Sequence, residues 1–320
     1  MQTTSDILMI RPANFSCNVE TASSNAFQRK TQMDVMPEVA AMKEFDAYAA
    51  KLVDAGIHVH LVDDTPHPVK PDACFPNNWF TTHSDGTVVL YPMAASNRRL
   101  ERRMDIIEGL ARHFEIEQVV DLSLFEREGK FHEGTGVMVF DHAQDLAFIC
   151  RSLRSHPHVM ERLNQTLGTK AYWFDAVDKN NQAIYHTNVM MSVGKTIAVV
   201  CMEAIKNPHQ QAFIRQRLVS ENRVLIDITY EQMQQFCGNV LALHNRAHEP
   251  VLALSERAWH AFNTHQKKLI EKQAQPVIAN LETIETLGGG GARCMIAEIF
   301  LPKRNSSALS TQQVEEDIIC

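Results

Sequence analysis

The sequence predicts an α/β fold in which one unit, ordered strand, strand, helix, strand, repeats around a ring. Two strand-like runs joined by a turn are followed by a helical pattern and a further strand four times in succession. The second strands of these copies reach positions 88, 146, 197 and 251, so the copies recur at intervals of 51 to 58 residues. A period of this length is typical of an array of similar units.

The N-terminal part contains a predicted strand at 7–12 and a polar, irregular stretch at 13–36. Pro37 then begins an amphipathic helix over 37–55, because proline is favoured in the first turn and apolar residues follow at helical spacing. A strand is predicted at 57–62. These elements do not complete a unit by themselves.

The four repeated units follow from residue 79 onward. Ser84-Asp85-Gly86 is a strong hairpin signal in the first of them. In order, the predicted elements are 79–83, 87–91, helix 97–113 and 118–122; 137–140, 146–150, helix 156–167 and 171–177; 189–193, 196–200, helix 207–221 and 223–229; 240–244, 251–254, helix 255–273 and 276–280.

A fifth copy would begin at 294–301 and could be completed only by the N-terminal strand, helix and strand. The first and last segments would then close the ring, so the residues before the first strand of every unit should converge at its centre. An ordinary α/β sheet with regular spacing is the alternative. We expect one catalytic domain over 1–303 and a disordered, polar tail over 304–320.

Composition argues against several classes of protein. The 320 residues are 45% hydrophobic and 22% charged, as in soluble globular proteins. The net charge of −7 argues against nucleic acid as a partner, and no Lys/Arg run beyond Arg98-Arg99 with Arg102-Arg103 suggests a nucleic-acid-binding face. No signal peptide or long apolar segment is recognisable, which predicts a cytoplasmic protein without a membrane partner. Assembly into a homodimer stays open.

The cysteines and histidines give no sign of a disulfide framework or a metal site. The seven cysteines are scattered, odd in number and never spaced as Cys-x-x-Cys, which favours reduced thiols. His58 and His60 alternate on one predicted strand, and His156 and His158 flank a proline, without Cys or Asp ligands at zinc spacing. We therefore predict no metal.

The C-terminal part contains the most unusual stretch, four consecutive glycines at 288–291 followed by Cys294. Glycines allow the backbone to approach a ligand closely, at a cost in folding entropy that suggests a function. Cys294 leads into an apolar run that predicts a buried element, so its thiol would lie at the mouth of that element. A buried structural cysteine is the alternative.

Polar, ionisable and glycine residues recur before the first strand of each predicted unit. A thiol from Cys294, an imidazole from His186 and a carboxylate from Glu133 are the parts of a cysteine-nucleophile site. Glu133 could instead cap a turn and His186 could be a core histidine, but their shared position in the repeat favours the site. The five segments are 72–78, 132–136, 185–188, 237–239 and 288–294.

These segments resemble motifs of the guanidino-group-modifying enzymes, which include arginine deiminase, dimethylarginine dimethylaminohydrolase, succinylarginine dihydrolase and the amidinotransferases. The resemblance covers residues 7–303 and is closest to the arginine-deiminase-related citrulline-utilisation hydrolases. The matching motifs are Pro71-Asp72-x-x-Phe75-x-x-Asn78, Glu133-Gly134-x-Gly136, His186-x-Asn188 and the glycine-rich Cys294 segment.

The resemblance implies a five-bladed, pseudo-symmetric α/β propeller of ββαβ units, the pentein fold, with no metal or organic cofactor. It also implies that Cys294 is the nucleophile, that His186 is the general acid and base, and that Glu133 orients His186. Substrate contacts are implied for Asp72 and Phe75 of the first motif.

Three asparagines, Asn77, Asn78 and Asn188, stand where family members that bind a guanidinium carry acidic residues. A guanidinium offers only donors and a fixed charge, whereas an amide both donates and accepts. The amides therefore favour a neutral ureido acid such as citrulline. Arginine derivatives stay open, because the site of succinylarginine dihydrolase is also rich in asparagine.

Arg98 and Arg99 follow the first hairpin, where some relatives place an arginine against the α-carboxylate of the substrate. An exposed basic helix face, continued by Arg102 and Arg103, is the alternative interpretation.

We therefore predict a cysteine-dependent hydrolase that cleaves a C–N bond in the ureido or guanidino group of a small amino acid and releases ammonia or an amine. An amidinotransferase, which would pass the amidino group to an acceptor amine, is a second hypothesis. A non-catalytic amino-acid-binding propeller is a third, although a binding protein does not need the thiol.

Overall fold

The computed structural model describes residues 1–22, 25–29, 36–219 and 222–304, whose strands form five three-stranded sheets. In chain order the strands are β1 (Asp6–Arg11), β2 (His58–Asp63), β3 (Phe80–Thr82), β4 (Thr87–Leu90), β5 (Gln118–Asp121), β6 (Met138–Asp141), β7 (Leu146–Cys150), β8 (Lys170–Phe174), β9 (Met191–Val193), β10 (Ile197–Val200), β11 (Val224–Asp227), β12 (Leu241–His244), β13 (Pro250–Ser255), β14 (Gln275–Ala279) and β15 (Ala297–Ile299).

All five sheets have the same topology. The middle strand pairs antiparallel with the first strand, through a tight hairpin in four of the sheets, and parallel with the third strand, which follows a helical connection. In the remaining sheet β15 pairs antiparallel with β1, and β1 pairs parallel with β2. The predicted repeat is therefore confirmed, and the first and last segments of the fold complete the fifth sheet.

Helices connect the second strand of each sheet to the third. The longest, α1, begins at Pro37 and buries Phe45, Tyr48 and Leu52, which recur on one face at helical spacing. The α-helices of the described residues are α1 (Pro37–Asp54), α2 (Met104–Leu110), α3 (Gly134–Val137), α4 (Pro157–Leu167), α5 (Pro208–Leu218), α6 (Tyr230–Gln234), α7 (Glu256–Ala261) and α8 (Thr264–Gln273).

The prediction of a single helix at 97–113 is wrong. The segment forms a 3₁₀ turn over Asn97–Glu101, an extended link at Arg102, and then α2. In a 3₁₀ turn the side chains at i and i+3 lie on the same side, so Arg98 and Glu101 both point into the protein and form a buried ion pair at 2.8 Å.

The prediction of a single helix at 255–273 is also wrong, because the chain breaks between α7 and α8 at Phe262 and Asn263. The side chain of Asn263 accepts a hydrogen bond from the backbone N–H of Gln266, and the side chain of Gln266 accepts one from the backbone N–H of Asn263. This capping box satisfies backbone N–H groups that lack a partner at the start of a helix. Its residue pattern is the local signal that a new helix begins at this point.

Consecutive sheets pack against one another through their apolar strands, and the middle strands β4, β7 and β10 are buried. None of the described helices has the length and apolar character needed to cross a membrane. Residues 305–320 of the predicted tail, 220–221 at the end of the predicted helix 207–221, and 23–24 and 30–35 of the irregular stretch lie outside the described residues.

Candidate active site

The segments that precede the first strands of the sheets lie against one another. Thr135 Oγ1 donates a hydrogen bond to the carbonyl of Asn77 at 3.1 Å, and Asn239 Nδ2 donates to the carbonyl of Asn188 at 3.0 Å. The backbone N–H of Arg293 donates to the carbonyl of Asn239 at 3.3 Å. The convergence that the repeat predicts is therefore observed.

His186 and Glu133 form a buried pair, with His186 Nε2 at 2.8 Å from Glu133 Oε2. Arg154 donates to the same oxygen at 3.0 Å. Burial alone would raise the pKa of Glu133, but Arg154 and His186 outweigh it and hold that pKa below its usual range. Because Nε2 faces an ionised carboxylate, it carries the proton, and Nδ1 is the ring nitrogen able to accept one.

Burial lowers the pKa of His186 to about 4, although Glu133 acts in the opposite direction. The imidazole is therefore neutral near pH 7. A neutral imidazole can take a proton from a thiol or from water, which is the role of a general base.

Cys294 lies three residues before the start of β15 at Ala297, and its side chain is buried. Asn239 Nδ2 donates to its sulfur at 3.2 Å, and Asn188 Nδ2 donates at 3.6 Å. Burial raises the pKa of the thiol, whereas the hydrogen bond from Asn239 and the charge of Arg293 lower it. The two amides are thus the donors that stabilise the thiolate.

Asn239 was grouped with the converging segments in the sequence but was not predicted to be a site residue. Its side-chain oxygen accepts from the backbone N–H of Gly291 at 3.1 Å, while its nitrogen bonds both the carbonyl of Asn188 and the sulfur of Cys294. One amide therefore connects the glycine run, the third-unit segment and the thiol. An asparagine before a strand is common in turns, so the sequence alone gives it no such role.

Cys294 and His186 line the same pocket, which encloses about 290 Å³ of empty space when its opening to solvent is included. Phe75 and Tyr185 supply aromatic walls. The lining residues are Thr21, Asn25, Asp72, Phe75, Asn78, Arg98, Arg154, Tyr185, His186, Gly288, Gly289, Gly290 and Cys294.

Several buried polar atoms at this site lack a hydrogen-bond partner within the protein. Leaving such an atom unpaired costs about 1–3 kcal/mol, so a cluster of them indicates a polar ligand. The atoms are Oδ1 of Asp72, Oδ1 and Nδ2 of Asn77, Nδ2 of Asn78 and Oδ1 of Asn188.

Two buried arginines face the pocket. Arg98 donates to Glu101 at 2.8 and 2.9 Å and to Asn78 Oδ1 at 2.8 Å. Because Arg98 is buried, the alternative interpretation that it belongs to an exposed basic helix face is wrong. Arg154 packs its guanidinium 5.2 Å from the centre of the Tyr185 ring. Arg154 was not predicted from the sequence, although it follows the second strand of its unit just as Arg98 does.

Arg99, in contrast, lies outside the pocket. Its Nε donates to the carbonyl of Met93 at 3.1 Å and lies 3.4 Å from Glu126 Oε2. Of the predicted residues, Asp72, Phe75, Asn78, Arg98, His186 and Cys294 line the pocket, Glu133 lies behind His186, Asn188 contacts Cys294, and Asn77 is buried beside Thr135.

Two glycines are required by close approach. A Cβ at Gly136 would lie 2.8 Å from the His186 ring and 2.4 Å from Asn78 Nδ2. A Cβ at Gly290 would lie 2.9 Å from the Phe75 ring. The sequence pattern Glu133-Gly134-x-Gly136 thus has a steric reason, because a larger residue would displace the imidazole.

Part of the irregular N-terminal stretch covers the pocket. Asn18 Nδ2 donates to Asp72 Oδ2 at 2.7 Å, and Asn25 Nδ2 donates to the carbonyl of Gly288 at 3.2 Å. Neither asparagine was predicted from the sequence. Both belong to the polar segment that carried no local structural signal.

The described residues of this pocket do not place three His, Cys, Asp or Glu ligand atoms within metal-binding distance of one another. Such a group, formed by Asp6, His58 and His60, occurs elsewhere in the described structure.

Replacing Asn239 with alanine should move the pH profile of Cys294 alkylation upward by about one to two units, because a hydrogen bond to a charged group contributes about 1.5–3 kcal/mol. The profile should move upward because the variant lacks the Asn239 donor that stabilises the thiolate. A higher pH is then needed to give the same fraction of reactive thiolate. The measurement is the rate of iodoacetamide modification of the Cys294 peptide by mass spectrometry.

Asn188→Ala, whose donor is farther away, is the control and should shift the profile less. An unchanged or lowered profile in Asn239→Ala contradicts the role.

Known structures share this fold. The substrate-bound N-terminal domain of ArgZ, described as an arginine dihydrolase from the ornithine-ammonia cycle in Cyanobacteria, matches with a TM-score of 0.71 and 16% identity over 93% of this chain and 98% of that chain. AgrE with L-arginine matches with a TM-score of 0.72 and 17% identity over 94% of this chain and 41% of that chain.

A histidine-to-glycine variant of dimethylarginine dimethylaminohydrolase, in an adduct with S-methyl-L-thiocitrulline, matches with a TM-score of 0.64 and 14% identity over 93% of this chain and 100% of that chain. No curated protein matches the sequence at a significant level. At these identities the structural matches show the fold, which is the predicted pentein fold.

The fold with its converging segments is that of the guanidino-group-modifying enzymes, as the sequence motifs predict. A family model described as N,N dimethylarginine dimethylhydrolase, eukaryotic, matches residues 11–301, and the chain belongs to this family. It is accordingly a hydrolase that acts on non-peptide C–N bonds. Membership of a hydrolase family argues against the amidinotransferase and binding-protein hypotheses.

Proposed function

We propose that the chain hydrolyses a C–N bond in the head group of a free amino acid through a covalent adduct on Cys294, with residues 1–303 acting as one catalytic unit. The observation that carries the proposal is the shared pocket of Cys294 and His186, in which Glu133 bonds the imidazole. Nucleophile, base and orienting carboxylate within one site are the parts that covalent acyl-type chemistry needs.

In the first step the imidazole of His186 takes the thiol proton, and the sulfur of Cys294 attacks the central carbon of the head group. A C–S bond forms and the π electrons of that carbon move to its oxygen or nitrogen. Asn188 and Asn239 stabilise the sulfur as it acquires charge. The adduct then collapses when His186 returns the proton to the departing nitrogen, which leaves as ammonia or, from a methylated head group, as a methylamine.

In the second step His186 takes a proton from water, and the hydroxide attacks the same carbon. The C–S bond breaks and Cys294 is regenerated. A ureido substrate gives a carbamate that loses carbon dioxide and leaves the free amine, whereas a guanidino substrate gives a ureido product. Glu133 stabilises the imidazolium that forms between these transfers.

For the head group we propose a ureido acid of the citrulline type. Asn77, Asn78 and Asn188 offer unpaired amide atoms of both kinds, donors as well as acceptors. A ureido group presents a carbonyl acceptor and N–H donors, so it can satisfy both kinds at once. A guanidinium has no acceptor and would leave the donor atoms of these amides unpaired.

Arginine, with or without methyl groups, is the second candidate. Asp72 Oδ1 is a buried carboxylate oxygen without a partner in the protein, which suits a cation. The description of the matching family also supports a guanidino substrate. For the α-carboxylate of either substrate we propose Arg98, because it faces the pocket and Arg99 does not.

The experiment compares citrulline, arginine and methylated arginines while ammonia, methylamines, ornithine and citrulline are quantified. Ornithine and ammonia from citrulline support the ureido assignment. Citrulline from arginine, or a methylamine from a methylarginine, supports the second candidate in its place. The Cys294→Ser protein, prepared in parallel, controls for contaminating activity. No release from any of these substrates contradicts the proposal.

A further inference from the structure

The first sheet brings two imidazoles and a carboxylate together from residues that do not line the pocket. His58 and His60 are two residues apart on β2, so their side chains point to the same face. Asp6 lies on the neighbouring strand β1, directly opposite His58 in the register. Asp6 also pairs with Ile299 at the end of β15, whereas Cys294 precedes the start of that strand.

Both imidazoles direct a nitrogen at one oxygen of Asp6. His58 Nδ1 lies 2.8 Å and His60 Nε2 lies 3.5 Å from Asp6 Oδ1, and one ligand atom from each of the three residues lies within 4.8 Å of the others. Ligand atoms bound about 2.1 Å from a tetrahedral zinc ion lie about 3.4 Å apart. Small side-chain rotations would therefore seat an ion between them.

Neighbouring groups orient these ligands in the way that supporting contacts orient ligands in metal sites. The second carboxylate oxygen of Asp6 is bonded by Lys303 Nζ at 3.0 Å and by Ser5 Oγ at 3.1 Å, which turns Oδ1 towards the imidazoles. The ring of His60 packs edge-on against Phe114. The side chain of His58 is 45% exposed, so an ion can reach the site from solvent.

We propose that Asp6, His58 and His60 bind a zinc ion, with water in the remaining position. Two imidazole nitrogens and one carboxylate oxygen are ligands that zinc prefers, while magnesium and calcium prefer oxygen ligands alone. The sequence could not reveal this site, because Asp6 is distant from His58 along the chain and only strand pairing brings them together. The proposal is independent of the catalytic function.

The experiment titrates Zn²⁺ into the Cys294→Ser protein by calorimetry, so that the pocket thiol does not contribute. We expect one ion per chain. His58→Ala, whose side chain is partly exposed, and His60→Ala should each weaken zinc binding more than about 100-fold, beyond the 10–100-fold typical of losing a supporting contact. X-ray absorption of the zinc-loaded protein should show imidazole and oxygen ligands without sulfur.

The matched control is His158→Ala. His156 and His158 also form a His-x-His pair, with ring centres 5.1 Å apart, but do not belong to a three-ligand group among the described residues. Zinc affinity should be unchanged in this variant. Absence of binding, retention of affinity in both His58→Ala and His60→Ala, or an equal loss in His158→Ala would overturn the proposal.

Discussion

Replacing Cys294 with serine should lower kcat by more than about 10³-fold on whichever substrate the wild-type protein turns over, because a serine hydroxyl is a far weaker nucleophile here. The fold should be retained, since an oxygen replaces a sulfur of similar size beside Asn239. The measurement combines steady-state kinetics with intact-mass spectrometry during turnover. Wild-type protein should carry a substrate-derived adduct on Cys294.

Cys17→Ser is the matched control for this substitution. Cys17 lies outside the pocket lining and accepts a hydrogen bond from Gln28 that a serine can also accept. Its kcat should stay within about twofold of the wild type, as expected of a substitution without a catalytic or buried-core role. Substantial turnover by Cys294→Ser, or an adduct located on another cysteine, would contradict the assignment.

Replacing Glu133 with glutamine should lower kcat/KM by about 10²–10⁴-fold and also destabilise the fold. The neutral amide cannot stabilise the imidazolium of His186, and general acid–base catalysis typically contributes a factor of this size. It also removes the carboxylate to which Arg154 donates at 3.0 Å, and breaking a buried ion pair costs about 3–5 kcal/mol. Chemical denaturation and kinetics measure the two effects separately.

The stability effect of Glu133→Gln should depend on pH in a defined direction. The pKa of Glu133 is held below its usual range, so its ionised form stabilises the fold above the unfolded-state pKa of about 4.3. That contribution is lost as the pH falls through the lower folded-state pKa. The difference in free energy of unfolding between wild type and variant should therefore shrink towards acid pH. A difference that grows on acidification would contradict the ion-pair account.

The sequence was sufficient to locate the sheets, and therefore the region where the segments that carry the candidate site residues converge. The repeat indicates where the first strand of each unit begins. Glu133, His186 and Cys294 could therefore be assigned to one region from the sequence alone. The steric reason for Gly136 could not be read in this way, because it depends on the distance to an imidazole fifty residues away. Long-range contacts of this kind leave no local periodicity.

The residues missed were those whose role depends on tertiary packing. Asn239 and Arg154 lie in short connections, where asparagine and arginine are ordinary surface residues. The sequence did contain an indication for Arg154, because Arg154 and Arg98 both follow the second strand of their repeat unit. The predicted helix at 97–113 concealed this equivalence, because a helix would have turned Arg98 towards solvent instead of into the pocket.

The pairing of β15 with β1 has a consequence for when the enzyme becomes active during its synthesis. One edge of β1 pairs with β15, which lies almost the whole length of the chain away. Pairings between such distant segments form slowly. The thiol of Cys294 lies shortly before β15, so the proposed catalytic centre cannot assemble in a growing polypeptide until this part of the chain has been made.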